Sequence, residues 1–445
     1  MGSELIDLLR ESGRIALRLK LDEMNIVDIA DELDLMEKID LIRVFRMLPK
    51  TKAAEVFSSL DHDVQQDIIE AITDREIGII VEELFLDDVV DFVEEMPANV
   101  VRRVLANVPR DTRNLINQFL QYPDDSAGSV MTVEYVSLKA GMTVADALAH
   151  IRQTGMDKET LYTCYVTDSV RKLIGVVTAR TLIMSQKAQL ISEVMSSDFV
   201  FANTHDDKEE LLNTFREQSF LALPVVDNEE RLVGIVTFDD MLLVQEDEVT
   251  EDFEKMAAMS PSEDEYLKTN PFKMALNRLP WLVFLNFSVF ITGSITDGFQ
   301  NLLGALPILV TFMPMLMDTS GDAGSQSSTL VIRGLALEEI LRSDFMAVIW
   351  KEIRVAIVCG LTLAAANALR MVLFGHPLDL AIVVSIALFS AIFFAKTIGA
   401  LLPLIAVVLK IDPAVMAVPI LTTIVDAMTL IVYFNLAQAI LHVAS

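Results

Sequence analysis

Apolar positions along this chain change their period three times. From residue 1 to about 122 they recur at helical spacing in short runs, as at 53–60, 64–72 and 77–86. Leu48-Pro49, Met96-Pro97 and Val108-Pro109 punctuate these runs, and the residue before a proline is pushed out of the helical region. Short amphipathic helices in succession predict an α-solenoid, in which each helix pair buries its apolar stripe on the next.

Between 123 and 244 the pattern shifts to short β-branched runs (164–166, 225–226, 234–236) alternating with helical ones, and it occurs twice. Ser129-Val-Met131 precedes Leu173-Ile-Gly-Val-Val-Thr-Ala-Arg-Thr-Leu-Ile183; Glu193-Val-Met195 precedes Leu232-Val-Gly-Ile-Val-Thr-Phe-Asp-Asp-Met-Leu242. A tandem α/β module is expected. Residues 245–270 follow with a polar helical pattern that Pro261 interrupts, which suits either a connecting helix or a solvated linker.

From 271 to 445 five hydrophobic segments appear, at 279–296, 302–317, 355–374, 378–409 and 414–441. About 20 apolar residues span a bilayer, so this part reads as an all-α transmembrane domain of five helices. The second segment runs into Met317-Asp318-Thr-Ser-Gly321-Asp322-Ala-Gly324-Ser-Gln326. Small and polar residues at membrane depth permit close helix approach or line a wet cavity.

Charge sharpens this division. The chain carries a net −29, yet from Phe272 onward nine Lys or Arg nearly balance ten Asp or Glu, so about −28 falls on the soluble half. Such acidity excludes nucleic acid as a partner, since phosphates reward basic surfaces, and favours cations. Cys164 and Cys359 lie in different halves without a CxxC or Cys/His cluster, as suits a reducing compartment. Residues 1–20 mix charge at helical spacing, so no signal peptide is expected. With the N-terminal half cytoplasmic, Lys273, Arg278, Arg342, Lys351, Arg354 and Lys410 fall on one side and Arg370 near the other. The positive-inside rule then leaves the C-terminus outside.

Candidate chemistry sits in two places. Asp426 lies near the middle of the last hydrophobic segment, behind Pro419, Thr422 and Thr423. A carboxylate at bilayer depth costs roughly 2.5–3.5 kcal/mol on insertion scales, so it normally faces a bundle interior or a water-filled path. Oxygen ligands suit Mg²⁺ or Ca²⁺; a helix-packing Asp bonded to a neighbour is the other reading. Pro419 is expected to loosen the backbone ladder of that helix. Asp87, Asp88 and Asp91 cluster at i, i+1 and i+4, where like charges repel; this is a cation site or a solvated acidic face.

The repeated Gly-Val/Ile-Val-Thr strand followed by a helix resembles a tandem CBS pair. In that family an Asp closing Gly-x-x-Thr-x-x-Asp binds a nucleotide ribose. The second repeat retains it as Asp240 after Gly234 and Thr237, whereas the first has Thr181. The resemblance therefore implies an adenosine nucleotide such as ATP, bound weakly or not at all.

Taken in order, the segments resemble the MgtE family of magnesium channels, with a helical N-domain (1–122), CBS pair (123–244), connecting plug helix (245–270) and five-helix pore domain (271–445). The family motif Gly-Gly-Asn-x-Gly-x-Gln-Ser-x-Thr-x-x-x-Arg is matched here by Ser320-Gly321-Asp322-Ala-Gly324-Ser-Gln326-Ser327-Ser-Thr329-Leu-Val-Ile-Arg333. Asp412-Pro413-Ala414, Pro419, Asp426 and Tyr433 match the last helix. The resemblance implies a homodimer in a bacterial or archaeal cell membrane, with Asp426 as the pore ligand for Mg²⁺. It implies that Asp322, Gln326, Lys396, Thr422 and Thr423 line the pore. It also implies regulatory Mg²⁺ on Glu55, Asp87, Asp91, Asp240, Glu248, Glu251 and Asp252, closing the pore when internal Mg²⁺ is high.

Three positions depart from the family pattern: Asp322 and Lys396 each stand where Asn is usual, and Val418 replaces a polar residue. Opposite-sign departures suggest an Asp322–Lys396 ion pair inside the bundle. A fixed cation near a divalent path also raises the alternative of an ion-coupled carrier or exchanger with Lys396 as coupling residue. HExxH, P-loop and GxSxG motifs are absent and an Asp322/Asp426 protease dyad has only half its signature, so no enzyme is expected.

Overall fold

The computed structural model describes residues 5, 8, 13–262, 266–267, 269–416 and 418–441. They fall into two compact units, 1–245 and 246–445.

The first unit begins with nine described helices of 8–11 residues, from α1 (Gly13–Glu23) to α9 (Arg110–Phe119). Pro49, Pro97 and Pro109 act as starts rather than breaks, since each is the N-cap residue of the helix that follows. A proline there withholds no N–H that the helix needs. Each helix packs chiefly on the next but one, giving the two rows of a solenoid. In α7 (Leu86–Glu95) the residues Val89, Val90, Phe92 and Val93 are buried, and the Phe92 ring meets Phe57 edge-on at 5.1 Å. That leaves the acids of α7 on its other side.

Two three-stranded sheets follow, β1 (Ser137–Lys139)–β2 (Thr163–Thr167)–β3 (Leu173–Thr178) and β4 (Ala202–Asn203)–β5 (Ala222–Val226)–β6 (Leu232–Thr237). In each, the first pair is parallel and the second antiparallel. The repeats exchange their leading segments, for Thr132 bridges to Ile235 of β6 while Ser196 bridges to Val176 of β3. The repeated glycines explain why. A Cβ on Gly234 would lie 2.7 Å from Met131 Sδ and 2.8 Å from Thr132 O, and one on Gly175 lies 2.7 Å from Met195 Sδ. Each glycine thus makes room for the Val-Met segment that leads the other repeat.

A long helix, α14 (Phe238–Met256), starts within the second repeat and continues past residue 245, so the connecting helix begins earlier than its polar pattern suggests. Residues 259–262 are not helical, in line with Pro261, and 263–265 and 268 lie outside the described residues.

The second unit contains α15 (Pro271–Gly298), α16 (Gln300–Ala305), α17 (Met313–Ala336), α18 (Phe345–Leu373), α19 (Leu378–Leu409) and α20 (Val418–Ile440). Four stretches, 271–298, 342–373, 378–409 and 419–440, are long and apolar enough to cross a membrane. The second expected span, 302–317, is corrected. Leu306, ahead of Pro307, leaves the helical region at φ −130° and ψ 72°, and a six-residue 3₁₀ segment, Pro307–Phe312, precedes α17. The polar stretch 317–329 lies inside that helix, where Ser320, Gly321, Ala323, Gly324, Ser327 and Ser328 are buried. Their small size lets α17 approach its neighbours closely. A Cβ on Gly399 of α19 would stand 2.3 Å from Gly324 O.

Pro419 is likewise corrected. It lies in the first turn of α20 and leaves the ladder intact. The side chain of Val418 lies outside the described residues.

Candidate functional sites

In the first unit the acids of α7 face Asp240, in the first turn of α14, together with Glu134, Glu159 and Asp239. Asp240 accepts a short bond from Thr237 Oγ1 at 2.5 Å, closing the turn into α14. In the first repeat Thr181 takes that place, its hydroxyl 2.9 Å from that of Thr178. Asp87 Oδ1 and Glu159 Oε2 are buried with no hydrogen-bond partner among the described residues.

Burial and then mutual repulsion raise these carboxyls. Asp87 is held well above the ordinary range by burial and then by Asp240 and Asp88. Burial and then Asp240 push Asp88 to about 6 and Glu159 to about 7. Asp91 rises to about 7 through burial and then Glu94, but it is exposed, so solvent screening softens its shift. Asp240 is raised by burial while its Thr237 bond pulls the other way. No three of the described His, Cys, Asp or Glu side chains converge at coordination distance. Excess negative charge with buried, unpartnered oxygens therefore suits a cation that keeps its waters, as Mg²⁺ does. Glu55 on α4 (Lys50–Ser58) is exposed and is not among the groups acting on this cluster. Glu134, Glu159 and Asp239 escaped the sequence reading because they lie at no shared spacing with α7.

The later part of α14 carries Glu248, Glu251 and Asp252, all half-buried. Lys255 bridges Glu251 Oε1 at 2.5 Å and Asp412 Oδ2 at 2.7 Å, tying α14 to the turn before α20. Burial raises Asp252, and Asp412 adds to it. Burial opposes the charge on Lys255, but its bonds to Asp412 and Glu251 outweigh this and raise its pKa. Nothing in the residue pattern hints at this latch, because Asp412 stands 157 residues from Lys255.

Among the membrane helices, Asp426 stands eight residues into α20, roughly 12 Å along its axis. It is partly exposed and accepts no hydrogen bond from a described residue; the charge it feels is that of Asp318 on α17. Thr422 and Thr423 donate to Pro419 O at 3.1 Å each, and Thr423 Oγ1 also lies 3.1 Å from Ser288 Oγ of α15. Asp318, Asp322, Gln326 and Thr329 are exposed on α17 at spacings of four, four and three, which makes one polar stripe. Asp318 could have been found in the sequence from its i, i+4 relation to Asp322.

The expected Asp322–Lys396 ion pair is not formed. Lys396 is buried, and its ammonium donates to Ala323 O at 3.3 Å, Gln326 Oε1 at 3.3 Å and Ser327 Oγ at 3.5 Å. Asp322 stays exposed, although Gln326, one turn further along the same polar stripe, accepts from Lys396.

A solenoid of short helices, a swapped pair of α/β repeats and a small-residue-packed bundle of membrane-length helices define a polytopic membrane protein with a large acidic extramembrane half. Sequence comparison makes the class specific. Residues 313–436 match the profile described as a divalent cation transporter, 24–125 the MgtE intracellular N domain, and 127–187 and 191–247 the CBS domain. The chain is 37% identical over 446 residues to the magnesium transporter MgtE of Thermus thermophilus, covering 99% of each. It is 30% identical to that of Bacillus subtilis, covering 98% of this chain and 97% of the relative. A crystal structure of the cytosolic domain of the Mg²⁺ channel MgtE in complex with ATP superposes with TM-score 0.52 at 36% identity, covering 55% of this chain and all of that one. The chain belongs to the MgtE family of magnesium transporters, and it is not an enzyme.

Proposed function

We propose that the protein is a Mg²⁺-selective channel for magnesium uptake, closed by cytosolic Mg²⁺ and working as a homodimer. The observation that carries the reading is Asp426, a carboxylate within a membrane helix that accepts no hydrogen bond from a described residue and feels the charge of a second acid, Asp318. Pairing across a two-fold axis would bring two such sites together. Carboxylates can hold hydrated Mg²⁺ by charge-assisted bonds to its waters without stripping them, so binding stays weak enough for exit.

Asp87, Asp88, Asp91, Asp240 and Glu159 supply one sensor, and the buried orphan oxygens of Asp87 and Glu159 are what the ion would satisfy. Glu248, Glu251 and Asp252 supply another on α14. At low internal Mg²⁺ the acids repel and the closed arrangement loosens. Swinging a gate from 1:99 to 99:1 takes about 5.5 kcal/mol of differential binding, a load several weak ions can share. The soluble half is cytoplasmic, the C-terminus lies outside a bacterial or archaeal cell membrane, and nucleic acid is no partner. An adenosine nucleotide is a weak ligand at most, because Asp240 is already engaged by Thr237 and the acids around it repel phosphates.

The test is Mg²⁺ influx into proteoliposomes. Asp426→Asn should fold and lose influx, and normal influx by that variant sinks the assignment. The buried Lys396 ammonium supports a second reading, an ion-coupled carrier or exchanger with Lys396 as coupling residue. Influx that persists without a counter-ion selects the channel; influx that stops selects the carrier.

A further inference from the structure

Lys396 places a fixed cation inside a bundle meant to pass divalent cations. An ammonium at this depth demands compensation. Its three direct acceptors, Ala323 O, Gln326 Oε1 and Ser327 Oγ, are all neutral, and they match its three protons in number. The third leads further. Ser327 Oγ lies 2.6 Å from Glu352 Oε2 on α18 and donates to it, a short charge-assisted bond. Since that bond uses the hydroxyl's single proton, the oxygen offers Lys396 only lone pairs. The chain therefore runs one way, from ammonium through hydroxyl to carboxylate, and joins α19, α17 and α18.

We infer that Glu352 is the counter-charge of Lys396, linked to it through Ser327, and that this bridged pair keeps the fixed cation from opposing Mg²⁺ at Asp426. The pair sums to zero charge, so Asp318, Asp322 and Asp426 keep the net negative charge that attracts the ion. Glu352 is a positioning residue in this scheme, acting on transport through Lys396. The inference rests on the channel reading for its effect on flux, while the pairing itself can be read from stability alone.

The experiment is a double-mutant cycle on the full-length protein with Lys396→Gln, Glu352→Gln and both together, and with Ser327→Ala to break the bridge. Unfolding midpoints in detergent give the first readout. Each single charge substitution strands its partner and should lower the midpoint by on the order of 10 °C, whereas the double variant recovers most of the loss. Ser327→Ala should fall between. Additive losses would overturn the pairing. Proteoliposome influx gives the second readout. Glu352→Gln leaves an unopposed ammonium and should reduce Mg²⁺ influx at least about tenfold relative to Na⁺, whereas Lys396→Gln should not reduce that ratio. A strut with a purely structural role would weaken both singles alike, and equal reductions would overturn the electrostatic role. Absence of influx from the wild type itself would count against the channel reading, and the stability cycle would still decide the pairing.

Discussion

Asp88→Asn combined with Glu159→Gln should stabilise the soluble half when divalent cations are absent. Both carboxyls are raised in the folded protein, Asp88 from 3.8 to about 6 and Glu159 from 4.5 to about 7. Between the unfolded and folded values the native state binds more protons than the unfolded chain, so stability must fall as pH rises from about 4 to about 7 and level off above. At about 1.36 kcal/mol per unit the two shifts amount to roughly 6 kcal/mol at most. Asp88 is itself one cause of the Glu159 shift, so part of this is counted twice; Glu159 is also partly solvated, so screening weakens its share, and a buried amide has its own desolvation penalty. A gain of about 2–3 kcal/mol remains at pH 7.5, or roughly 5–10 °C in unfolding midpoint. Wild type should recover a similar amount from millimolar Mg²⁺, since ten times the dissociation constant contributes about 1.4 kcal/mol per site. The variant should respond weakly. Calorimetry of the intact protein from pH 5 to 7.5, with and without Mg²⁺, makes the measurement, and amide exchange along α7 localises it. A wild-type midpoint that stays flat or rises with pH, or a variant that keeps the full Mg²⁺ response, would refute the reasoning.

Three further outcomes follow from the packing of the second unit. Gly399→Ala forces α19 away from the Gly324 carbonyl, a backbone atom 2.3 Å from the new methyl, and should destabilise by about 2–3 kcal/mol and impair transport. Gly293→Ala meets nothing within 4 Å and should leave thermal unfolding in detergent unchanged. Lys255→Met removes the cation between Glu251 and Asp412 and should raise Mg²⁺ influx at internal Mg²⁺ that closes wild type. Its effect on stability should stay within about 1 kcal/mol, since Lys255 is partly solvated, and unchanged inhibition in flux assays would show that the latch does not hold the gate.

The sequence by itself determined the divisions of this protein, because the period of its apolar positions reports which surface each segment must bury. The solenoid, the α/β repeats and the membrane helices were legible for that reason, as were Asp426 and the Asp87–Asp91 face, where charge interrupts or crowds a periodic pattern. Helix limits were less legible. Pro307 and Pro419 stand at helix starts, and small polar residues at 317–329 continue a helix that hydropathy alone would end. Only the tertiary structure decided which charges meet. Glu159 reaches Asp88 and Asp240 from a loop, Lys255 finds Asp412, and Lys396 finds Glu352 through Ser327 rather than the Asp322 that its sign suggested. Periodicity fixes the face a residue occupies on its own element, whereas a long-range pair depends on how separate elements pack, and spacing along a chain carries no record of that.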